Sequence, residues 1–265
     1  MPRIPPSWEK SWHSCAASST MAESASTHHA ATPRIVFFDT LRGFTVISMV
    51  LFHASYDLAY IYGLSMPWFT QGMLQDVWRN SISWTFLLIA GWMCLFSRNN
   101  LKRAASYGCI AFAVFIATTI AAVDTPVSFG IIYCMATCTL IFWALSPLLD
   151  RIHPKVGTAL CLASFVATYG LPKTRYAIEG LAWLGFPSFT FSSGDYYPLL
   201  PFMFMFLAGY FLGRTFNHQT NGTYPAWVKR DYLPPLTKVG QHSLLVYVLH
   251  QPLVLGALAL VMGTV

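Results

Sequence analysis

The sequence has 265 residues, of which 55% are hydrophobic and only 10% are charged. Soluble domains carry about 25% charged residues, so this composition excludes a water-soluble globular monomer and indicates a membrane protein. The formal net charge of +6 does not indicate nucleic-acid binding, because the Lys and Arg residues lie mostly in short loops between apolar runs.

The chain opens with a polar tail, residues 1–33, which is rich in Ser, Ala, Thr and His. The tail has no apolar core of about 7–15 residues, so it is not a secretory signal peptide, and it cannot bury enough apolar surface to fold. We therefore expect a disordered tail, in which Met21 is an alternative start, followed by one membrane domain over residues 34–265.

Seven apolar stretches follow the tail, and most approach the roughly 20 residues that a helix needs to cross a bilayer. They cover about 42–64, 81–97, 104–123, 129–149, 157–171, 198–213 and 239–262. Their backbone polar groups must be satisfied within the lipid, and the stretches lack strand-like alternation. The predicted fold class is all-α, a polytopic membrane protein with about seven transmembrane helices.

The loops between these stretches differ in charge. Basic residues without acidic partners precede the first stretch, follow the second and the fourth, and lie between the sixth and the seventh. Acidic residues balance the basic ones in the opposite loops, which include Asp124. The positive-inside rule therefore predicts a cytoplasmic N-terminus. It also places the aromatic loop 172–195 outside, where it lies on the membrane surface or folds over a site.

The first stretch holds the densest set of ionisable residues, which are costly inside a membrane and usually functional. At 100° per residue, a sector of about 60° holds Asp39, Arg42, His53 and Asp57. Asp57 lies one turn beyond His53, close enough to orient its imidazole. His53 is therefore a candidate general base in a wet cavity. Packing of His53 and Asp57, and interfacial anchoring of Asp39 and Arg42, are the alternatives.

Polar residues at three other places are further candidates. His250 and Gln251 lie in the last stretch, Asp195 and Tyr196 lie just before the sixth, and Arg79 lies at the start of the second, where it could bind an anionic group. The alternatives are a histidine that bridges helices, an ordinary loop acid and an interfacial anchor. The cysteines of the apolar stretches are interpreted as packing residues, and no metal site is predicted.

Four segments, taken in order, carry a resemblance to a known family. RIVFFDTLRGFTVISMVLFHASYDL, WRNSISWTFLLIAGW, SSGDYYPLLPFMFMFLAGYFLGR and VGQHSLLVYVLHQPL resemble the multi-spanning membrane acyltransferases. In particular they resemble the heparan-alpha-glucosaminide N-acetyltransferase catalytic-domain family and its small bacterial members. The resemblance implies transfer of an acyl group, expected to be acetyl, from cytosolic acyl-CoA. The acceptor would be a hydroxyl or amine of an envelope sugar or glycolipid across the bacterial inner membrane.

The resemblance also implies roles for individual residues. His53 would be the general base or a transient acyl carrier, oriented by Asp57. The catalytic set is His53, Asp57, Asp195 and His250; the acyl-CoA set is Arg42, Arg98, Lys102 and Arg103; the substrate set is Arg79, Tyr196 and Gln251. Lipid, acyl-CoA and a glycan acceptor are the expected partners, and a homo-oligomer is left open. Two positions depart from the family pattern: no His lies near Leu64, and Tyr133 stands where small relatives have His.

Two other functions fit the same residues. A carrier of a small molecule or lipid would line its path with the polar stripe of the first stretch, although such carriers usually show two pseudo-equivalent halves and this sequence shows none. A non-catalytic membrane scaffold would tolerate loss of His53. Acyl-CoA binding separates an acyltransferase from both alternatives, and solute flux without an acceptor identifies the carrier.

Overall fold

The computed structural model describes residues 35–121, 125–220 and 222–263, and the predicted tail and Asp124 lie outside them. The regular structure of the described residues is helical, which confirms the all-α fold class. The helices are α1 (Val36–Tyr56), α2 (Pro67–Thr70), α3 (Leu74–Trp92), α4 (Asn100–Ala121), α5 (Ile131–Leu149), α6 (Pro154–Thr168), α7 (Leu199–Gln219), α8 (Ala226–Lys229), α9 (Pro234–Gln241) and α10 (Ser243–Met262).

Five of these helices are long and apolar enough to cross a membrane among the residues described: α1 with its extension to Ile61, α4, α5, α7 and α10. The other two predicted stretches each hold a helix, α3 and α6. Polar residues such as Asp76 and Arg79 occupy the first turns of α3. Helix α6 has 15 residues, which span roughly 22 Å of a bilayer core of about 30 Å. The seven-span count and the orientation stay predictions.

Helix α7 forms the middle of the larger packed cluster and contacts α3, α5 and α6. Its side chains Phe206, Tyr210 and Phe211 are almost fully buried. Glycines allow the backbones of α3 and α7 to meet, because a Cβ on Gly209 would overlap the carbonyl oxygen of Leu88. Small residues at such crossings are typical of helix association in membranes, where van der Waals packing replaces the hydrophobic effect.

Helix α1 is the centre of the second packed group and contacts α3, α9 and α10. It approaches α9 as closely as α3 approaches α7: a Cβ on Gly43 would overlap the carbonyl oxygen of Leu236. The hydroxyls of Thr40 and Thr237 are 2.8 Å apart across the same contact. This packing fixes α1 on one side and leaves a polar face of the helix against α10.

The last turn of α1 widens into a π-helical segment over Asp57–Ile61. Such π-turns are rare and occur frequently at functional sites. The aromatic loop 172–195 is tied to itself: Arg175 Nη1 donates to the carbonyl oxygens of Ser188 and Phe191, at 3.1 and 2.8 Å. The loop therefore has its own fixed conformation directly before α7.

Candidate functional site

The interface between α1 and α10 brings together two histidines that are far apart in the sequence. The ring centroids of His53 and His250 are 4.8 Å apart, with the ring planes inclined at 59°. His250 is 8% exposed and His53 is partly buried. Both residues were predicted from sequence as site residues, and the structure places them in direct contact at the core of the helix pair.

The tautomer of His250 follows from its neighbour. Its Nδ1 lies 2.6 Å from the carbonyl oxygen of Tyr247. A carbonyl oxygen only accepts, so Nδ1 carries the hydrogen and Nε2 carries the lone pair. This Nε2 is buried without a hydrogen-bond partner among the described residues. Because an unmade buried hydrogen bond is costly, the atom is suited to receive a proton or a hydrogen bond from a bound molecule.

Asp57 lies at the same interface and is 1% exposed. Gln251 Nε2 is 3.1 and 3.0 Å from its two carboxylate oxygens. A carboxylate only accepts, so the amide nitrogen of Gln251 faces Asp57 and its Oε1 faces away. That Oε1 is also buried without a partner in the described part of the chain. The sequence paired Asp57 with His53, and that pairing stays a prediction; the structure shows the Asp57 carboxylate bound by Gln251 of α10.

A cavity of about 100 Å³ lies beside this interface. Two arginines line it, Arg42 from α1 and Arg103 from α4, together with Ser243 and Tyr247 from α10. Its other walls are mostly apolar and come from α3, α5 and α10: Phe86, Ile89, Ala90, Ile131, Ile132, Met135 and Leu244. The Tyr247 ring is 5.7 Å from the His250 ring, so one side chain borders both the cavity and the histidine pair.

Neighbouring groups hold the two arginines in place. Arg42 Nη1 is 3.1 Å from an oxygen of Asp39. Arg103 Nε donates to the Tyr107 hydroxyl at 3.1 Å, and its Nη2 donates to the carbonyl oxygen of Ala90 at 3.1 Å. The cavity therefore carries two oriented cations. The other two basic residues that were predicted to bind acyl-CoA, Arg98 and Lys102, are exposed and do not line it.

Asp195 lies at the start of α5, where Ile131 N–H donates to its Oδ2 at 3.3 Å. This contact caps a backbone donor of the first helical turn. Burial raises the pKa of Asp195 to about 6, although the Ile131 amide and Arg79 act in the opposite direction.

The remaining predicted substrate residues have structural contacts near Asp195. The Tyr196 hydroxyl donates to the carbonyl oxygen of Ala182 at 2.6 Å and so ties the aromatic loop to the start of α7. Arg79 is exposed, and its Nη2 is 2.6 Å from an oxygen of Asp76. Neither residue lines the cavity, and the binding roles predicted for Tyr196 and Arg79 stay proposals.

Sequence reasoning missed two residues of the site. Tyr107 holds Arg103 from the next turn of α4, and its i, i+4 spacing was a readable signal. Tyr197 interacts through its side chain with Ser83 of α3, and burial raises its pKa. No local pattern reveals the second contact, because it joins residues on different helices. Among the described residues, no group of three or more His, Cys, Asp or Glu could hold a metal ion.

Comparison with known proteins identifies one family. The family model described as heparan-alpha-glucosaminide N-acetyltransferase, catalytic, matches residues 34–252, which is most of the chain. No curated protein and no solved structure matches the sequence. The match covers α1 to α9 and α10 as far as Pro252, and so includes both histidines, both cavity arginines and the Asp57–Gln251 contact. The chain belongs to the family of heparan-alpha-glucosaminide N-acetyltransferase catalytic domains.

Proposed function

We propose that this protein is an integral membrane acyltransferase. It moves an acyl group, acetyl in the simplest case, from acyl-CoA to a hydroxyl or amine of an envelope sugar or glycolipid, across the bacterial inner membrane. One observation carries the proposal: Tyr247 borders both a cavity with two arginines and a buried histidine pair in which His250 Nε2 has no partner among the described residues. Family membership independently supports acetyl transfer in a membrane.

The cavity with Arg42 and Arg103 is suited to bind acyl-CoA, the acyl donor. Guanidinium groups bind phosphate oxygens with paired, charge-assisted hydrogen bonds, and acyl-CoA carries several phosphates. At about 100 Å³, the cavity has room for a short acyl group against its apolar walls. Arg98 and Lys102 are exposed nearby on the chain, where their charge raises the local concentration of an anionic substrate.

The pair of His53 and His250 is suited to catalyse the acyl transfer. In this proposal His53 and His250 lie where the acyl group arrives, and one of them removes the proton of the acceptor or briefly carries the acyl group. The carboxylate of Asp57, held by Gln251, fixes α1 against α10 and so keeps the two rings at their short distance. Asp195, Tyr196 and Arg79 form the rim through which the acceptor enters.

The experiment compares wild-type protein with His53→Ala in lipid nanodiscs supplied with labelled acetyl-CoA. Thioester cleavage, label retained on the protein and label in extracted glycolipids are each measured. We expect turnover to be lost with His53→Ala and kept with His153→Ala, a matched control at an exposed histidine before α6. Folded protein that neither binds nor cleaves any of a range of acyl-CoAs would refute the proposal and favour a carrier.

A further inference from the structure

The two histidines of the site differ in how they are held. Nδ1 of His250 is hydrogen-bonded to the Tyr247 carbonyl oxygen, which leaves Nε2 as a buried acceptor. The contacts of the His53 ring are aromatic, with the rings of Phe52 and His250. A general base needs a fixed tautomer with its lone pair facing the proton that it removes. Of the two rings, His250 meets this requirement.

A second buried acceptor lies on the residue next to His250. Gln251 Oε1 has no partner in the described part of the chain, because the amide nitrogen of the same side chain is committed to Asp57. Both atoms, His250 Nε2 and Gln251 Oε1, can only accept a hydrogen bond in this arrangement. A molecule that satisfies them must bring O–H or N–H donors, so phosphates and carboxylates do not fit.

The neighbouring arginine cavity prefers the opposite kind of ligand, one that brings hydrogen-bond acceptors. Arg42 and Arg103 offer only donors, and they suit a ligand rich in acceptor oxygens, such as a nucleotide phosphate. The α1–α10 interface offers acceptors and suits a ligand rich in O–H or N–H donors. The cavity and the α1–α10 interface therefore suit different substrates of a transferase. The cavity offers hydrogen-bond donors to acyl-CoA, and the interface offers hydrogen-bond acceptors to the acyl acceptor.

We infer that His250, and not His53, is the general base, and that the acyl acceptor brings O–H or N–H donors to it, written here for a hydroxyl compound; this inference rests on the proposed acyltransferase function. The acceptor O–H proton passes to His250 Nε2 as its oxygen attacks the acyl carbon. The carbon–sulfur bond breaks, and its electron pair leaves with the CoA sulfur. The proton then passes from His250 to the thiolate, which gives free CoA thiol and an ester. Gln251 Oε1 accepts from a second hydroxyl and orients the acceptor.

The test uses two acceptors that differ in their need for a base. Octyl glucoside, below its micellar concentration, offers hydroxyls that must lose a proton during attack. Hydroxylamine attacks through a neutral nitrogen and needs no prior deprotonation. Loss of a general base typically costs about 10²- to 10⁴-fold, so we expect His250→Gln to lower formation of the glucoside ester by that factor. Hydroxamate formation should fall by less than about tenfold, because this acceptor does not depend on the base.

Three comparisons make the outcome decisive. His53→Gln should lower both products to the same extent, because in this inference His53 positions the His250 ring and removes no proton. Added imidazole should restore ester formation to His250→Gly. Equal loss with both acceptors in His250→Gln, with acetyl-CoA binding intact, would show that His250 only positions neighbours and would overturn the inference. A selective loss in His53→Gln instead would also overturn it. Wild-type protein that binds acetyl-CoA but acylates neither acceptor would refute the proposed function itself.

Discussion

The contact between Asp57 and Gln251 is a buried polar link between the first and the last membrane helices, and its energy can be bounded. The Gln251 amide nitrogen lies 3.0–3.1 Å from both carboxylate oxygens, and Asp57 is almost fully buried. Hydrogen bonds between neutral groups of membrane helices average about 0.6 kcal/mol in double-mutant cycles. Hydrogen bonds to charged groups contribute about 1.5–3 kcal/mol. We therefore expect a coupling energy of about 1.5–3 kcal/mol if the carboxylate is ionised.

A double-mutant cycle measures this coupling. Asp57→Ala, Gln251→Ala and the double variant are unfolded by titration with denaturing detergent in mixed micelles, and the free energies of unfolding are compared. The double variant should be less destabilised than the sum of the single variants by the coupling energy. A matched cycle of Asp57→Ala with His242→Ala, an exposed histidine before α10, should be additive to within about 0.5 kcal/mol.

The cycle also tests how the contact supports the site. If the Asp57–Gln251 contact holds the rings of His53 and His250 at 4.8 Å, either single variant lowers acyl transfer without removing acetyl-CoA binding at the arginine cavity. A coupling energy below about 0.5 kcal/mol would show that Gln251 does not stabilise an ionised carboxylate. Unchanged turnover in Gln251→Ala would show that the contact does not position the histidines.

Three further results are expected. Gly240→Ala should destabilise the α1–α9 contact by about 1–3 kcal/mol or more, because its Cβ would overlap a carbonyl oxygen of α1; Gly256→Ala, which meets nothing within 4 Å, is the control in the same unfolding assay. Arg103→Gln should weaken acetyl-CoA binding by roughly 10- to 150-fold, since hydrogen bonds to a charged group contribute about 1.5–3 kcal/mol. Arg98→Gln, at an exposed residue, should change the affinity little. Titration calorimetry measures the dissociation constant of each variant. Asp195 has its pKa raised to about 6 from 3.8, so its contribution to stability is fully present below about pH 4 and is lost as pH rises through about 6. Asp195→Asn should flatten the pH profile of the melting temperature over that window, and an unchanged profile would contradict the assigned burial of this carboxyl.

Hydropathy located most of the helices, but it missed where α3 begins. The sequence predicted a start at 81, and the helix starts at Leu74. Its first two turns carry Asp76, Arg79 and Asn80, which lower the mean hydropathy of any window that includes them. Hydropathy measures how well a segment tolerates lipid, whereas backbone hydrogen bonding continues through polar residues. The same difference explains why the stretch predicted from 239 onward is divided between α9 and α10 at His242.

The sequence predicted which site residues share a face of α1, but it did not predict which residues of another helix they contact. Angular spacing correctly grouped His53 and Asp57 on one side of α1, since that grouping needs only the helical repeat of 100°. The helix that packs against this side is set by the tertiary structure and cannot be read from the helical repeat. In the structure it is α10: His53 contacts His250, and Asp57 contacts Gln251, the next residue of α10. Two residues one turn apart on α1 thus contact two consecutive residues of α10. The predicted pairing of His53 with Asp57 stays a prediction, and the structure adds two cross-helix contacts to it, His53 with His250 and Asp57 with Gln251.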